Sequence, residues 1–135
     1  MNRILLTFVI LACSMAHSHG SPPDELTRQM RAIAYVESNN NHNNHNHNTN
    51  AVGWLSIRKI MVNEANRILG YKKFSYKDRY NKEKQKQIFR IIIRHHNPSL
   101  NIRTTCKIWN TGSKKGLPQK GYTRKVIKYY MRLAS

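Results

Sequence analysis

At 135 residues the chain has room for one compact domain, and its 24 Lys and Arg against 6 Asp and Glu give a formal net charge of +18. That excess calls for a polyanionic partner, whether nucleic acid, an anionic membrane or an anionic cell wall. Of the two cysteines, Cys13 lies in the leader and Cys106 is left alone, so no intramolecular disulfide can be drawn and the fold must rest on its core.

Residues 1–20, MNRILLTFVILACSMAHSHG, have Arg3 as their only charge, an apolar run from Ile4 to Ala12 and then small and polar residues. This is the layout of an export signal and is too short to span a bilayer. Cleavage after Ala16 fits a small-x-small pattern, while Ile10-Leu11-Ala12-Cys13 also resembles a lipoprotein box that would leave Cys13 lipidated. Loss of the leader takes away one cation, Arg3, and no acid, so the mature charge is +17. Export favours a wall or membrane surface over nucleic acid, and residues 21–135 form the expected domain.

Ser21-Pro22-Pro23-Asp24-Glu25 reads as a helix start, with a capping serine, prolines tolerated in the first turn and acids at the positive end of the dipole. Leu26, Met30, Ile33 and Ala34 follow at helical spacing, which predicts a first helix from about Pro23 to Ser38. The stretch from Asn39 to Asn50 has no apolar residue and is expected to be a solvated or disordered loop. Its His42, His45 and His47 read as polar filler, because no cysteine or carboxylate stands among them as in a closed zinc site. No metal or cofactor is called for.

Ile57, Ile60, Met61, Ala65, Ile68 and Leu69 mark one face of a helix over Ser56 to Leu69, with Gly70 as its stop. Tyr71 to Asn81 reads as a connecting loop. Lys82 to His96 carries Ile88, Phe89, Ile91, Ile92 and Ile93 and is ended by Asn97-Pro98. Ser99 can cap a fourth helix with Leu100, Ile102, Cys106 and Ile108 turned inward, so Cys106 reads as core rather than nucleophile. A Gly/Lys-rich loop from Thr111 to Gly121 leads to a last helix with Tyr122, Val126, Tyr130 and Leu133 inward. Five helices and no alternating strand pattern make an all-α domain.

Acids are few, and that narrows the candidates for proton transfer. Asp24 and Glu25 are explained by the helix start, and Glu64, Asp78 and Glu83 lie among cations in polar surroundings. Glu37 follows the apolar run Ile33-Ala34-Tyr35-Val36 at a helix end, where partial burial would raise its pKa; a plain helix-end glutamate is the competing reading.

Ala34-Tyr35-Val36-Glu37-Ser38, Gly53-Trp54-Leu55-Ser56-Ile57, Ile108-Trp109-Asn110-Thr111-Gly112 and then Tyr122 with Val126 occur in an order that resembles the lytic transglycosylase family related to goose-type lysozyme. That family has Glu-Ser closing a helix, a Gly-x-x-Gln-Ile turn, an aromatic-Asn-x-Gly turn and a late Tyr, and the likeness runs from about Glu25 to Leu133. The resemblance implies a lysozyme-like fold with a catalytic cleft and cleavage of peptidoglycan between N-acetylmuramic acid and N-acetylglucosamine, leaving 1,6-anhydro ends. It implies Glu37 as acid/base with Ser38 as its hydrogen-bonding neighbour, Gly53 and Ser56 at a turn against the sugar, and Trp109 and Asn110 lining the cleft. It also implies that Tyr122 orients Glu37. Such chemistry needs no second carboxylate, whereas a conventional glycosidase needs one about 5 to 9 Å away, for which Asp78 is the best claimant.

The chain departs from the family at Ser56, where Gln is usual, at the long Asn/His stretch and at Cys106. These changes bear on substrate affinity and keep open a non-catalytic, cationic wall-binding or membrane-active protein. The expected partners are peptidoglycan strands and an anionic surface, with the protein a monomer.

Overall fold

The computed structural model describes residues 23–134, so the expected export signal and Ser21 lie outside the described residues. Five α-helices and one two-stranded hairpin follow in order: α1 Glu25–Ser38, β1 His45–Asn46, β2 Ala51–Val52, α2 Lys59–Leu69, α3 Lys82–His96, α4 Ile102–Thr111 and α5 Tyr122–Arg132. The mostly helical class matches the apolar periodicity, and each helix sits within three residues of its expected start.

The caps explain most of the remaining differences. Helix α1 starts two residues later than expected because the Asp24 carboxylate accepts from Thr27 N at 2.8 Å. Helix α4 is capped by Asn101, whose Oδ1 accepts from Arg103 N and Thr104 N, and not by Ser99, whose hydroxyl instead donates to Asn97 Oδ1. Helix α2 begins at Lys59 rather than Ser56, since Ile57 is tied back to Val52 by N–H···O bonds of 2.8 and 3.1 Å and Ser56 has φ +51°. Within 71–81 a 3-10 helix, Tyr76–Tyr80, replaces part of the expected loop, with Asp78 accepting from Ser75 N at 2.7 Å.

The largest correction falls on residues 39–50. Instead of an unstructured loop, the stretch makes β1 and turns back on β2, pairing His45 with Val52 and Asn46 with Ala51. Asparagine is what makes this possible: Asn39, Asn40 and Asn50 take left-handed φ values of 52°, 60° and 51°, and Asn46 Oδ1 accepts from Asn48 N and Thr49 N within the turn. Ala51 and Val52 are buried while His45 and Asn46 are exposed, so apolar anchoring comes from one strand only.

One core joins all five helices. Ile33, Leu55, Ile57, Phe74, Ile88, Phe89, Ile93, Cys106, Trp109 and Val126 are buried in it. Helix α5 packs chiefly along α1, and α2 along α3. Buried polar groups are satisfied where they cross between helices. Gln29 of α1 accepts from Thr105 Oγ1 and donates to the Leu100 carbonyl, both at 2.5 Å. Arg79 is buried with its guanidinium on carbonyls of Tyr76, Asn50 and Ile57, which pins the hairpin to the 3-10 helix. Cys106 is fully buried, and burial pushes its thiol up to about 12, so it is core and no nucleophile.

Candidate active site

Helix α1 delivers Glu37 to one wall of a cleft of about 390 Å³ in its second-last position. The hairpin contributes Asn44, Asn46, Thr49 and Ala51 to the lining, the segment before α2 contributes Ser56 and Arg58, and Asn110, Tyr122 and Lys125 come from α4 and α5. Tyr122, first residue of α5, donates its hydroxyl to Glu37 Oε1 at 2.6 Å across 85 residues of chain. Gly121, the cap before it, has φ +81°, a left-handed conformation that lets the loop turn sharply into α5.

Burial raises the Glu37 pKa above its ordinary value, against the smaller opposing effects of the Tyr122 hydrogen bond and the positive charge of Arg58. Tyr122 is pushed upward as well, first by burial and then by the Glu37 charge, so its phenol stays a hydrogen-bond donor. Glu37 is the one carboxylate among the residues lining the cleft. Asp78, the best claimant for a second, is committed to capping the 3-10 helix and does not line it. A single half-buried carboxyl with a raised pKa can give a proton and take one back, but it has no charged partner to act as a nucleophile across the cleft.

The other expected site residues divide into two groups. Ser56, Asn110 and Tyr122 line the cleft beside Glu37. The Ser56 hydroxyl donates to the Glu37 carbonyl at 3.4 Å and accepts from Asn44 Nδ2 at 3.2 Å, so it ties the hairpin to the end of α1. Its left-handed backbone is uncommon for serine, and such strain is retained where the surroundings hold it in place. Asn110 Oδ1 accepts from Gln119 N at 3.0 Å and fastens the loop before α5 to the end of α4.

Ser38, Gly53 and Trp109 are not among the residues that line the cleft. The Ser38 hydroxyl donates to the Trp54 carbonyl at 2.7 Å and does not reach the Glu37 carboxyl; it ties the α1 end to the turn that follows the hairpin. Gly53 has φ +80°, and a Cβ there would run into Gln85 Nε2 and lie 2.8 Å from the Arg79 carbonyl oxygen, so packing by itself requires its bareness. Trp109 is 2% exposed, with Nε1 donating to the Leu55 carbonyl at 3.1 Å and its ring tilted on Phe89 at 4.8 Å. A ring so enclosed cannot stack on a pyranose in this cleft; it props the Gly53–Ile57 turn from below.

Arg58, Lys120, Lys125 and the hairpin asparagines were not singled out by the sequence. No local pattern sets those cations apart from 21 others, and the asparagines sit in a stretch with no apolar periodicity. The histidines of the hairpin do not converge: the rings of His45 and His47 face each other at 4.3 Å, His42 lies near Trp54, and among the described residues no three His, Cys, Asp or Glu side chains gather in a metal-holding group.

No family model, curated protein or solved structure matches the chain. The chemistry of the cleft therefore rests on its own geometry.

Proposed function

We propose that the protein is an exported peptidoglycan lytic transglycosylase with a lysozyme-like fold and Glu37 as its acid/base. The observation that carries this reading is a half-buried carboxyl, raised in pKa and held by the Tyr122 hydroxyl at 2.6 Å, in a cleft with no second carboxylate in its lining. Protonated Glu37 gives its proton to the glycosidic oxygen as the bond to the muramic C1 breaks, releasing the 4-hydroxyl of N-acetylglucosamine. The resulting carboxylate then takes the proton of the muramic C6 hydroxyl while that oxygen bonds to C1 and closes the 1,6-anhydro ring. Atoms balance without water, and the same carboxyl ends protonated as it began. Tyr122 holds the carboxyl in one orientation through both steps, and Asn110 and Ser56 are placed beside it to meet substrate polar groups.

The test is digestion of purified sacculi by the mature chain with product masses read. Muropeptides with 1,6-anhydro ends are expected, and Glu37→Gln is expected to release none. Hydrated reducing ends would make the protein a lysozyme-type hydrolase, and unchanged release by Glu37→Gln would remove the assignment.

One observation favours a second reading, a non-catalytic cationic binder of walls or membranes. Tyr71, Tyr76 and Tyr80 are 59%, 44% and 61% exposed on a segment dense in lysine, with Lys59 Nζ 5.1 Å from the Tyr76 ring centroid. Such a face suits an anionic interface. Wall or vesicle binding that Glu37→Gln leaves untouched and salt abolishes, together with no cleavage by the parent, would establish it.

A further inference from the structure

The charges inside the cleft are lopsided. Arg58 enters from the turn before α2, Lys120 from the loop before α5 and Lys125 from the first turn of α5, whereas the lining holds one carboxylate, Glu37, itself turned to a neutral partner. Among the described residues no carboxylate lies within ion-pair distance of Arg58, Lys120 or Lys125, although the chain pairs its other acids readily: Glu25 with Arg28, Glu64 with Arg67 and Glu83 with Lys86. Arg58 is half-buried and Lys120 and Lys125 stand at the rim. Lys125 is also three residues after Tyr122, so both side chains project from one face of α5. The hydroxyl and acetamido oxygens of a neutral glycan could accept from these three cations but would leave their charge uncompensated, and a half-buried guanidinium that acts on Glu37 only from beyond ion-pair distance is a fork for a further carboxylate.

We propose that this cleft selects glycan strands carrying free carboxylates beside the scissile bond, with Arg58 as the principal carboxylate-binding residue and Lys120 and Lys125 as its support at the rim. This rests on the glycan-cleaving reading and deepens it by naming the charged group recognised. Two sources present that group in peptidoglycan: acidic residues of an attached stem peptide, and the lactyl ether of a muramic acid from which the peptide has been removed. The chemistry recognised is the same, a planar carboxylate, carried either on the lactyl ether itself or on the peptide attached to it. Cations placed in the cleft itself also hold the substrate where the general surface charge, spread over the whole molecule, only raises local concentration.

The experiment uses soluble glycan fragments in four forms: with intact stem peptides, with those peptides' carboxylates capped as methylamides, stripped of peptide to free lactyl groups, and stripped then capped. Binding to the full mature Glu37→Gln protein is measured by calorimetry, and cleavage by the parent is measured on the same fragments. Capping is expected to weaken binding at least about tenfold, the usual loss for a charge-assisted hydrogen bond left unmade. Arg58→Gln with Lys120→Gln and Lys125→Gln should bind capped and free forms alike. A control with Arg31→Gln, Arg94→Gln and Arg124→Gln, three exposed cations outside the cleft, should lower all affinities together and keep the capped-to-free ratio. A preference for intact over stripped strands, lost on capping, assigns the carboxylate to the stem peptide, and the reverse assigns it to the lactyl group.

Equal binding of capped and free fragments by the parent cleft, or a preference that survives in the triple cleft variant, overturns the inference. Cleavage without preference would leave the transglycosylase reading standing and remove this one. Preference without cleavage would do the opposite, and no binding of any fragment would remove both.

Discussion

Two glutamates of this chain show how far surroundings can drive one carboxyl group. Glu37 and Glu64 each sit on a helix and each touch a lined hollow of the surface, yet their pKa values move in opposite directions. Glu64 is gripped by Arg67, whose Nε and Nη2 both donate at 2.7 Å, and has His96 Nε2 at 2.7 Å; these partners lower it to about 2. Glu37 has lost water without gaining an ion pair, and a neutral phenol is its only side-chain partner by hydrogen bond. The first is a permanent anion and can only bind. The second is shifted toward its protonated form by burial, the direction that a group donating a proton requires.

Exchanging each carboxyl for an amide tests this most severely. Glu37→Gln is expected to lower glycan-cleavage kcat by roughly a thousandfold or more, within the range for loss of a general acid that also serves as base. Glu64→Gln should change it less than about twofold. Assays on sacculi at matched protein concentration decide this, with circular dichroism as the check on folding. If the two variants lost activity equally, the contrast between the glutamates would be meaningless for catalysis.

The next effect comes from the hairpin that lines the cleft with Glu37. Arg79→Ala leaves the carbonyls of Asn50 and Ile57 without their donor and removes a buried side chain, a loss of about 2 to 4 kcal/mol in urea unfolding. A loosened hairpin admits water to Glu37, whose pKa should then fall toward the ordinary range, drawing the two glutamates closer together. A pH profile of residual activity whose alkaline limb moves down would show this. An unmoved limb would mean that the hairpin does not contribute to the burial.

How much of this was legible beforehand differs between the helices and the site. Apolar spacing placed all five helices, because residues such as Ile88, Phe89, Ile92 and Ile93 must share a face to be buried together. Glu37 stood out among the acids by following an apolar run at a helix end, although position alone left a plain helix-end glutamate equally open. Trp109 reads from its position as a core aromatic closing a helix, and it was the resemblance that put it in the cleft; its burial, its contact with Phe89 and its bond to the Leu55 carbonyl agree with the plain reading. The hairpin was illegible. Its strands are two residues long, and its shape comes from asparagine side chains and left-handed backbone rather than from any hydrophobic alternation. Arg58, Lys120 and Lys125 belong together only in space.

Tyr122→Phe should act on Glu37 alone. Its hydroxyl lowers the carboxyl pKa, so removal should move the alkaline limb of activity to higher pH, because protonated Glu37 then persists further. Loss of orientation should meanwhile lower kcat by about tenfold, the worth of one well-placed hydrogen bond. A limb that moved down would mean that the phenol stabilises the neutral carboxyl instead.

The smallest effect is the most specific to the comparison, because it reverses sign between the two glutamates. The Glu64 pKa is depressed on folding, so its contribution to stability is present above the unfolded value near 4.5 and is lost as pH falls toward about 2. The pair is partly open to water, with the Arg67 side chain 62% exposed, so that contribution is held to about 1 kcal/mol or less. Glu37 is raised on folding, so its contribution is present below 4.5 and is lost as pH rises through the folded value. Unfolding free energies across pH 2 to 8 should therefore give difference curves of opposite slope: relative to the parent, Glu64→Gln loses stability as pH rises from about 2 and Glu37→Gln gains it at the alkaline end. Parallel curves would show that the folded protein does not distinguish the two carboxyls, and without that distinction no proton is reserved at Glu37.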